Sequence, residues 1–167
     1  YNGDRLTSYG GTSISYNAMG CPVLYGSKHL DWANGRLTKY YDEPDPTGAF
    51  SSESVRFEYN AYGQRTLKEY VYDPGSDYSG DFLIGTTSEY TYDHSGRLVR
   101  ELITDYFTES ASIEKELIFL YDESGMIGVM YSYNGSTPTP YYYQRNLQGD
   151  VVAIYDTNGS KKASYSY

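Results

Sequence analysis

Apolar and polar residues alternate along most of this chain, with the period of two that a β-strand requires. Residues 55–59, Val-Arg-Phe-Glu-Tyr, put three apolar side chains on one face of a strand and two charged side chains on the other. The same alternation recurs in segments 90–92, 129–133 and 163–167. Segment 104–117 has no apolar stripe at helical spacing, so we expect strand, loop and strand there. The pattern predicts an all-β protein.

One short phrase ends many of the alternating segments. It consists of an aromatic residue, Asn or Asp, two variable residues and Gly, often followed by Arg-Leu. Its copies are YNAMG at 16–20, WANGRL at 32–37 with one residue fewer, YNAYGQR at 59–65, YDHSGRL at 92–98, YDESGMI at 121–127 and YDTNGSK at 155–161, with looser copies at 1–6 and 146–152. The recurrence predicts hairpins of roughly 20–30 residues, each stacked beside the next.

The chemistry of this phrase is that of a tight turn. Asp or Asn at the first position accepts backbone hydrogen bonds through its side chain, and Gly adopts the left-handed conformation that closes the turn. The predicted turn residues are Asn17, Gly20, Gly35, Asn60, Gly63, Asp93, Gly96, Asp122, Gly125, Gly149, Asp156 and Gly159. The Asn-Gly-Ser segments at Asn134 and Asn158 are explained as hairpin turns without a glycan. Polar segments 42–54 and 73–81 are predicted to be loops at the far ends of hairpins.

The composition favours sheets with a partly hydrated face. The chain has 23 Tyr against 5 Phe and 1 Trp, so much of its apolar surface carries a hydroxyl that needs water or a partner. A formal net charge of -9 argues against partners that are nucleic acids or anionic lipids, because binding them requires clustered Lys and Arg. No apolar run approaches the ~18 residues needed for a membrane span. Because Tyr1 is not a start methionine, we expect the chain to be a piece of a longer protein.

Cys21, His29 and Asp31 are the residues closest to a nucleophile, a base and an orienting group. Their spacing on strands and turns gives no reason for contact, so a structural role for Cys21 is the favoured interpretation. One Cys with His29 and His94 cannot complete a zinc site without further ligands. We therefore expect no enzymatic activity, no metal and no cofactor.

Two acidic patterns also have simpler explanations as turns and loops. Asp-Pro occurs in DPTG at 45–48 and in DPG at 73–75, and Asp-Pro-Gly is a common turn former. Asp73, Asp77 and Asp81 recur at intervals of four, but this spacing is not that of a calcium-binding EF-hand loop. We interpret the segment as a solvated acidic loop.

Three segments together resemble the YD repeats of the Rhs family: YDHSGRLVRE at 92–101, YDESGMIGVM at 121–130 and WANGRLTKYYD at 32–42. Segment 141–167 is similar to the opening of the Rhs-associated core, where an aromatic strand, a turn, an apolar strand and a second Asp-x-x-Gly turn follow in order. The resemblance covers essentially the whole chain, so we expect a single repeat array over residues 1–167.

The resemblance implies a curved, continuous sheet of tandem antiparallel hairpins, an arc of a β-shell. It implies a structural role in a wall that encloses or presents a C-terminal toxin or effector, at the bacterial cell surface or after secretion. The implied partners are the rest of the parent shell and its cargo. Open sheet edges would also favour edge-to-edge self-association.

The alternative function is a binding module for carbohydrate or for a protein partner. Exposed aromatic rings stack on sugar rings and anchor protein interfaces. The candidate contact residues are Tyr78, Phe82, Tyr141, Tyr142 and Tyr143, where alternation cannot bury every ring on one side. Autoproteolysis near Asp45 or Asp73 is the third and least favoured hypothesis.

Overall fold

The protein is all-β, as the alternation predicts. A computed structural model describes residues 5–42, 52–73, 83–108 and 111–166, and none of these forms a helix. The strands are β1 Ser8–Tyr9, β2 Thr12–Tyr16, β3 Pro22–Tyr25, β4 Lys28–Ala33, β5 Arg36–Asp42, β6 Ser52–Tyr59, β7 Arg65–Asp73, β8 Leu83–Tyr92, β9 Leu98–Thr108, β10 Ala111–Asp122, β11 Gly125–Tyr133, β12 Thr139–Arg145, β13 Val151–Tyr155 and β14 Lys161–Ser164.

The fourteen strands form an antiparallel sheet whose strand order is the order of the chain, β1 to β14. Segment 104–117 contains the end of β9 and the start of β10, which confirms the two predicted strands, and residues 109–110 between them lie outside the described residues. The chain divides into two compact units, Tyr1–Thr87 with Tyr106–Ala111, and Ser88–Asp105 with Ser112–Tyr167. Of the predicted loops at 42–54 and 73–81, residues 43–51 and 74–81 lie outside the described residues. The loop prediction was wrong at their margins, because Asp42 ends β5, residues 52–54 begin β6 and Asp73 ends β7.

In the first unit, three hairpins, β2–β3, β4–β5 and β6–β7, contain an irregularity immediately before the turn. The register between paired strands shifts at Ser15/Tyr16, at Asp31/Trp32 and at Glu58/Tyr59. The second residue of each pair is the aromatic residue of the repeated phrase. A bulge there raises local twist and prepares the strand for a turn that is closed by a left-handed residue.

The second unit repeats this arrangement. Its register shifts lie at Leu120/Tyr121, Gln144/Arg145 and Ile154/Tyr155. Two of these three again place a tyrosine of the phrase directly after the shift. The bulge is therefore a recurring part of the repeat rather than an accident of one hairpin.

Little of either unit is deeply buried. Among the described residues the buried apolar side chains are Val71, Val129 and Ala153, with 5%, 6% and 2% exposure. Four buried polar residues accompany them: Thr87, Ser88, Thr104 and Ser132. With so small a core, the backbone ladder and specific side-chain contacts between hairpins must supply much of the stability.

Because the strands alternate in direction, successive turns alternate between the two ends of each unit. In the first unit, turns 17–20, 34–35 and 60–63 follow β2, β4 and β6 and so share one end. In the second unit, turns 123–124 and 146–149 share one end, while 134–138 and 156–159 share the other. The repeated phrase at 155–161 thus turns at the opposite end from its neighbour at 121–127.

Candidate functional site

The turn that begins at Asp93 shows how the repeated phrase folds. The carbonyl oxygen of Asp93 accepts a hydrogen bond from the Gly96 amide at 3.0 Å. Its side-chain Oδ1 accepts bonds from the backbone amides of Ser95 and Arg97, both at 2.9 Å. Gly96 has φ of 83°, the left-handed region that glycine reaches without a steric penalty. One carboxylate therefore organises the whole turn.

The same bonds recur at the other turns of this length. Side-chain oxygens of Asn60, Asn146 and Asp156 accept from the amides two and four residues later, at 2.9–3.1 Å. Asn17 accepts from the amide four residues later, and Asp122 from the amide two residues later. The predicted turn glycines all have positive φ; they are Gly20, Gly35, Gly63, Gly96, Gly125, Gly149 and Gly159.

Consecutive hairpins are joined by a contact that we name the inter-hairpin tie. In its fullest form, the Tyr59 hydroxyl donates a hydrogen bond to the Leu37 carbonyl oxygen at 2.9 Å. The Arg36 guanidinium lies 5.9 Å from the centre of the Tyr59 ring, and its Nε donates to the Gly63 carbonyl oxygen at 3.3 Å. The Arg-Leu of one phrase thus holds the Tyr and Gly of the next.

Two further ties have the same composition. Tyr16 donates to the Leu6 carbonyl at 2.8 Å beneath Arg5, and Tyr121 donates to the Leu98 carbonyl at 2.8 Å beneath Arg97. Trp32 takes the equivalent position in the shorter copy, where its Nε1 donates to the Pro22 carbonyl at 2.6 Å. The partners are 10 to 23 residues apart in sequence, so the contact is kept while the intervening loop changes in length.

We expect Tyr59→Phe to lower the free energy of unfolding by about 1 kcal/mol, because the half-buried Leu37 carbonyl loses its hydrogen bond while the ring remains. The matched control is Tyr62→Phe, since Tyr62 is 89% exposed at the tip of the adjacent turn and should change stability little. Urea denaturation measures both. Equal values for the two variants would show that the hydroxyl of Tyr59 contributes nothing to the tie.

Three turn carboxylates are stabilised in their charged form. The pKa of Asp93 is lowered by hydrogen bonds from the backbone and then the side chain of Arg97. The pKa of Asp156 is lowered chiefly by its bond with the Lys162 side chain, and that of Asp122 by its bond with the Ser124 hydroxyl. We therefore expect these turns to lose stability in acid.

Since the folded-state pKa values lie below the ordinary value of 3.8, the stabilisation is fully present above that value and is lost as pH falls through the lower folded-state pKa. We expect the thermal midpoint to fall below pH ~4 and Asp93→Asn to flatten part of that fall. Asn60→Asp, which puts a carboxylate into an equivalent turn, should steepen it. An unchanged pH profile in both variants would exclude a role for these turns in acid sensitivity.

The structure places His29 and Asp31 in β4 and Cys21 in the segment between β2 and β3. Leu24, three residues further along than Cys21, lies opposite His29. His29 stacks on Tyr41 with ring centres 5.2 Å apart, and Asp31 lies opposite Lys39. The part of the chain that the structure describes contains no cluster of three or more potential metal ligands and no helix able to cross a membrane.

The tyrosine run on β12 places its side chains in different environments. Tyr142 is 44% exposed and lies opposite Gly128, whereas Tyr141 and Tyr143 are half-buried. Burial raises the pKa of the Tyr143 hydroxyl. The other two candidates, Tyr78 and Phe82, and also Asp45, Asp77 and Asp81, lie outside the described residues, while Asp73 ends β7.

A cavity of about 370 Å³ lies beside the tie in the first unit. Its lining residues combine aromatic, amide and charged side chains: Ala33, Asn34, Arg36, Thr38, Phe57, Glu58, Tyr59 and Asn60. Arg65 covers one side of the Phe57 ring at 4.4 Å. The sequence analysis did not predict this cavity, because the cavity forms between two hairpins whose turns lie at the same end of the unit.

Fold and turn geometry define an all-β protein built of tandem hairpins with a repeated turn. No family model matches the chain. It is 28% identical over 172 positions to the tRNA3(Ser)-specific nuclease WapA of Bacillus spizizenii. That similarity covers 98% of this chain but only 6% of the nuclease, so the chain spans a small part of the length of the relative that it matches.

Proposed function

We propose that this chain is a non-catalytic structural segment of the YD/Rhs type, part of a β-shell wall that encloses or presents a C-terminal toxin or effector. The inter-hairpin tie is the observation that carries the proposal. It uses the recurring parts of the phrase, Arg-Leu, Tyr and Gly, to fix each hairpin on the next. A repeat whose characteristic residues contact the adjacent repeat is suited to building a continuous wall.

The similarity to part of a nuclease supports the same proposal. The matched region is 6% of a much longer nuclease, and nearly all of this chain takes part in the match. Transfer RNA cleavage by the purified chain would overturn the non-catalytic role. We expect intact RNA after incubation with the chain.

Wall material should also pair through its sheet edges. β14 neighbours one strand, β13, in the strand order, and the Tyr165 amide donates to the Val152 carbonyl at 2.9 Å. By strand alternation the Ser164 amide points away from β13 and is free to pair with a further strand. We therefore expect the purified chain to be β-rich by far-ultraviolet circular dichroism and to self-associate in light scattering.

Ser164→Pro tests this edge, because it removes an outward-pointing donor and leaves the bonds to β13 in place. We expect the variant to shift light scattering towards monomer. Ser166→Pro lies beyond β14 and should leave association unchanged. A β-rich monomer for the unmodified chain would overturn edge pairing and favour a sheet that caps itself.

The second candidate is the binding module, which the cavity beside Arg36 favours. A volume of about 370 Å³ falls within the range of small-ligand sites, and amide, charged and aromatic groups together suit a sugar. Calorimetric titration with short oligosaccharides tests it. Loss of binding in Phe57→Ala but not in Tyr142→Ala would place the ligand in the cavity; the reverse would place it on the face of β12.

A further inference from the structure

Three Asn-Gly pairs occur within the described residues, and their environments differ. They are Asn34–Gly35, Asn134–Gly135 and Asn158–Gly159. Glycine presents no Cβ to hinder its backbone nitrogen, so Asn-Gly is the pair in which that nitrogen most easily reaches the asparagine side chain. The result is a spontaneous conversion that needs only water.

The reaction balances without any other reactant. The glycine amide nitrogen loses its proton to solvent and attacks Cγ of the asparagine. Nδ2 takes up a proton and leaves as ammonia, and a five-membered imide remains. Water then opens the imide at one carbonyl or the other, which gives aspartate or isoaspartate in the chain.

At Asn34 both reacting groups are available. Asn34 and Gly35 form the two-residue turn between β4 and β5, with φ of 52° and 73°, and both are exposed. Within the described part of the chain, neither the Asn34 side chain nor the Gly35 amide has a hydrogen-bond partner. A Cβ built on Gly35 would meet no atom within 4 Å, so the surroundings leave room for the imide.

At Asn134 a hydrogen bond fixes the asparagine side chain, which carries the carbon that would be attacked. Asn134 Oδ1 accepts a hydrogen bond from the Glu114 amide at 2.7 Å, and the Asn134 amide donates to the Glu114 carbonyl at 2.8 Å. The turn geometry is otherwise similar, with φ of 46° at Asn134 and 68° at Gly135. Attack by the Gly135 nitrogen requires the side chain to rotate away from Glu114.

At Asn158 a hydrogen bond fixes the attacking group instead, which is the backbone nitrogen of Gly159. The Gly159 amide donates to the Asp156 carbonyl oxygen at 3.1 Å, a bond that closes the turn. The Asn158 amide is itself bonded to Asp156 Oδ1 at 2.9 Å. Freeing the Gly159 nitrogen for attack means opening the turn.

We propose that Asn34 is a site of spontaneous deamidation in the folded protein, and that folding protects Asn134 and Asn158. The product is an acidic residue at the rim of the cavity that Arg36 lines. Isoaspartate would also add one backbone methylene to a two-residue turn, which no longer matches the register of β4 and β5. The turn at Asn34 thus undergoes a slow, irreversible change of charge and shape.

The test is peptide mapping of the intact chain after incubation at mildly alkaline pH, with each site followed by its mass gain of about one dalton and by separation of the two aspartyl products. We expect Asn34 to convert at least about fivefold faster than either other site, the ratio that one net hydrogen bond supports. In concentrated urea, which removes the folded constraints, the three rates should converge.

Comparable rates at the three sites in the folded chain would overturn the proposal, as would a faster reaction at Asn134 or Asn158. A fast Asn34 that stays equally ahead in urea would also overturn it, because the cause would then be local sequence rather than folded structure. Asn34→Gln supplies the control, since its longer side chain should abolish the mass gain in that peptide while the other two sites keep their rates.

Discussion

Replacing Gly128 by Ala should lower the free energy of unfolding by about 3 kcal/mol, at the upper end of the usual cost of overpacking. Gly128 is buried in β11, opposite Tyr142 of β12 and Leu120 of β10. A Cβ there would lie 2.3 Å from the Tyr141 carbonyl oxygen. That atom belongs to the backbone of the paired strand, so only separation of β11 from β12 relieves the clash.

Gly149→Ala is the matched control for this substitution. Gly149 has φ of 92° and open space around a built Cβ, so its replacement introduces backbone strain of about 1–2 kcal/mol without a clash. Urea denaturation of both variants, with circular dichroism as the probe, measures the difference. A loss at Gly128 no greater than that at Gly149 would mean that β11 and β12 accommodate the methyl group.

Replacing Gly63 by Ala should cost about 2 kcal/mol, from left-handed strain together with loss of the tie. A Cβ at Gly63 would lie 1.7 Å from Nη2 of Arg36, so the guanidinium must leave the turn. Its bond to the Gly63 carbonyl and its place over the Tyr59 ring are then both lost. The strain component is isolated by Gly159→Ala, where φ is 74° and nothing lies within 4 Å of the Cβ.

A double-mutant cycle separates the tie from the strain. In Arg36→Ala the new methyl group at position 63 meets no guanidinium, so the combined variant should be more stable than the sum of the two losses by about 1 kcal/mol. Arg36→Ala combined with Gly159→Ala should be additive. Additivity in both pairs would show that Arg36 and Gly63 are energetically independent.

Much of the fold was accessible from sequence because it depends on local patterns. Alternation around residues 55–59 gave the strands, and the Asx and Gly positions of the phrase mark where the chain turns. The tie was not accessible. Tyr59 donates to a backbone carbonyl 22 residues earlier, and a backbone acceptor leaves no trace in the residue types.

The signal of the tie in the sequence is the recurring Arg-Leu pair, which follows the turn glycines Gly35 and Gly96 directly. Gly128 was overlooked for a different reason. It belongs to no turn, and its φ lies outside the positive region. Glycine is required at this position because the backbone of the neighbouring strand leaves no room for a Cβ, and the local sequence does not show where that strand lies. The bulges at Tyr59 and Tyr121 were equally hidden, because register follows from pairing.

Strand order that equals chain order has a consequence for how this protein reaches its structure. Each strand pairs with the one that has just preceded it, so no strand must wait for a distant partner. Each tie likewise closes when the next phrase emerges, since its acceptor carbonyl is already in place. Loop-closure entropy stays low at every step. Such a chain can fold progressively, one hairpin after another, while the remainder is still being synthesised.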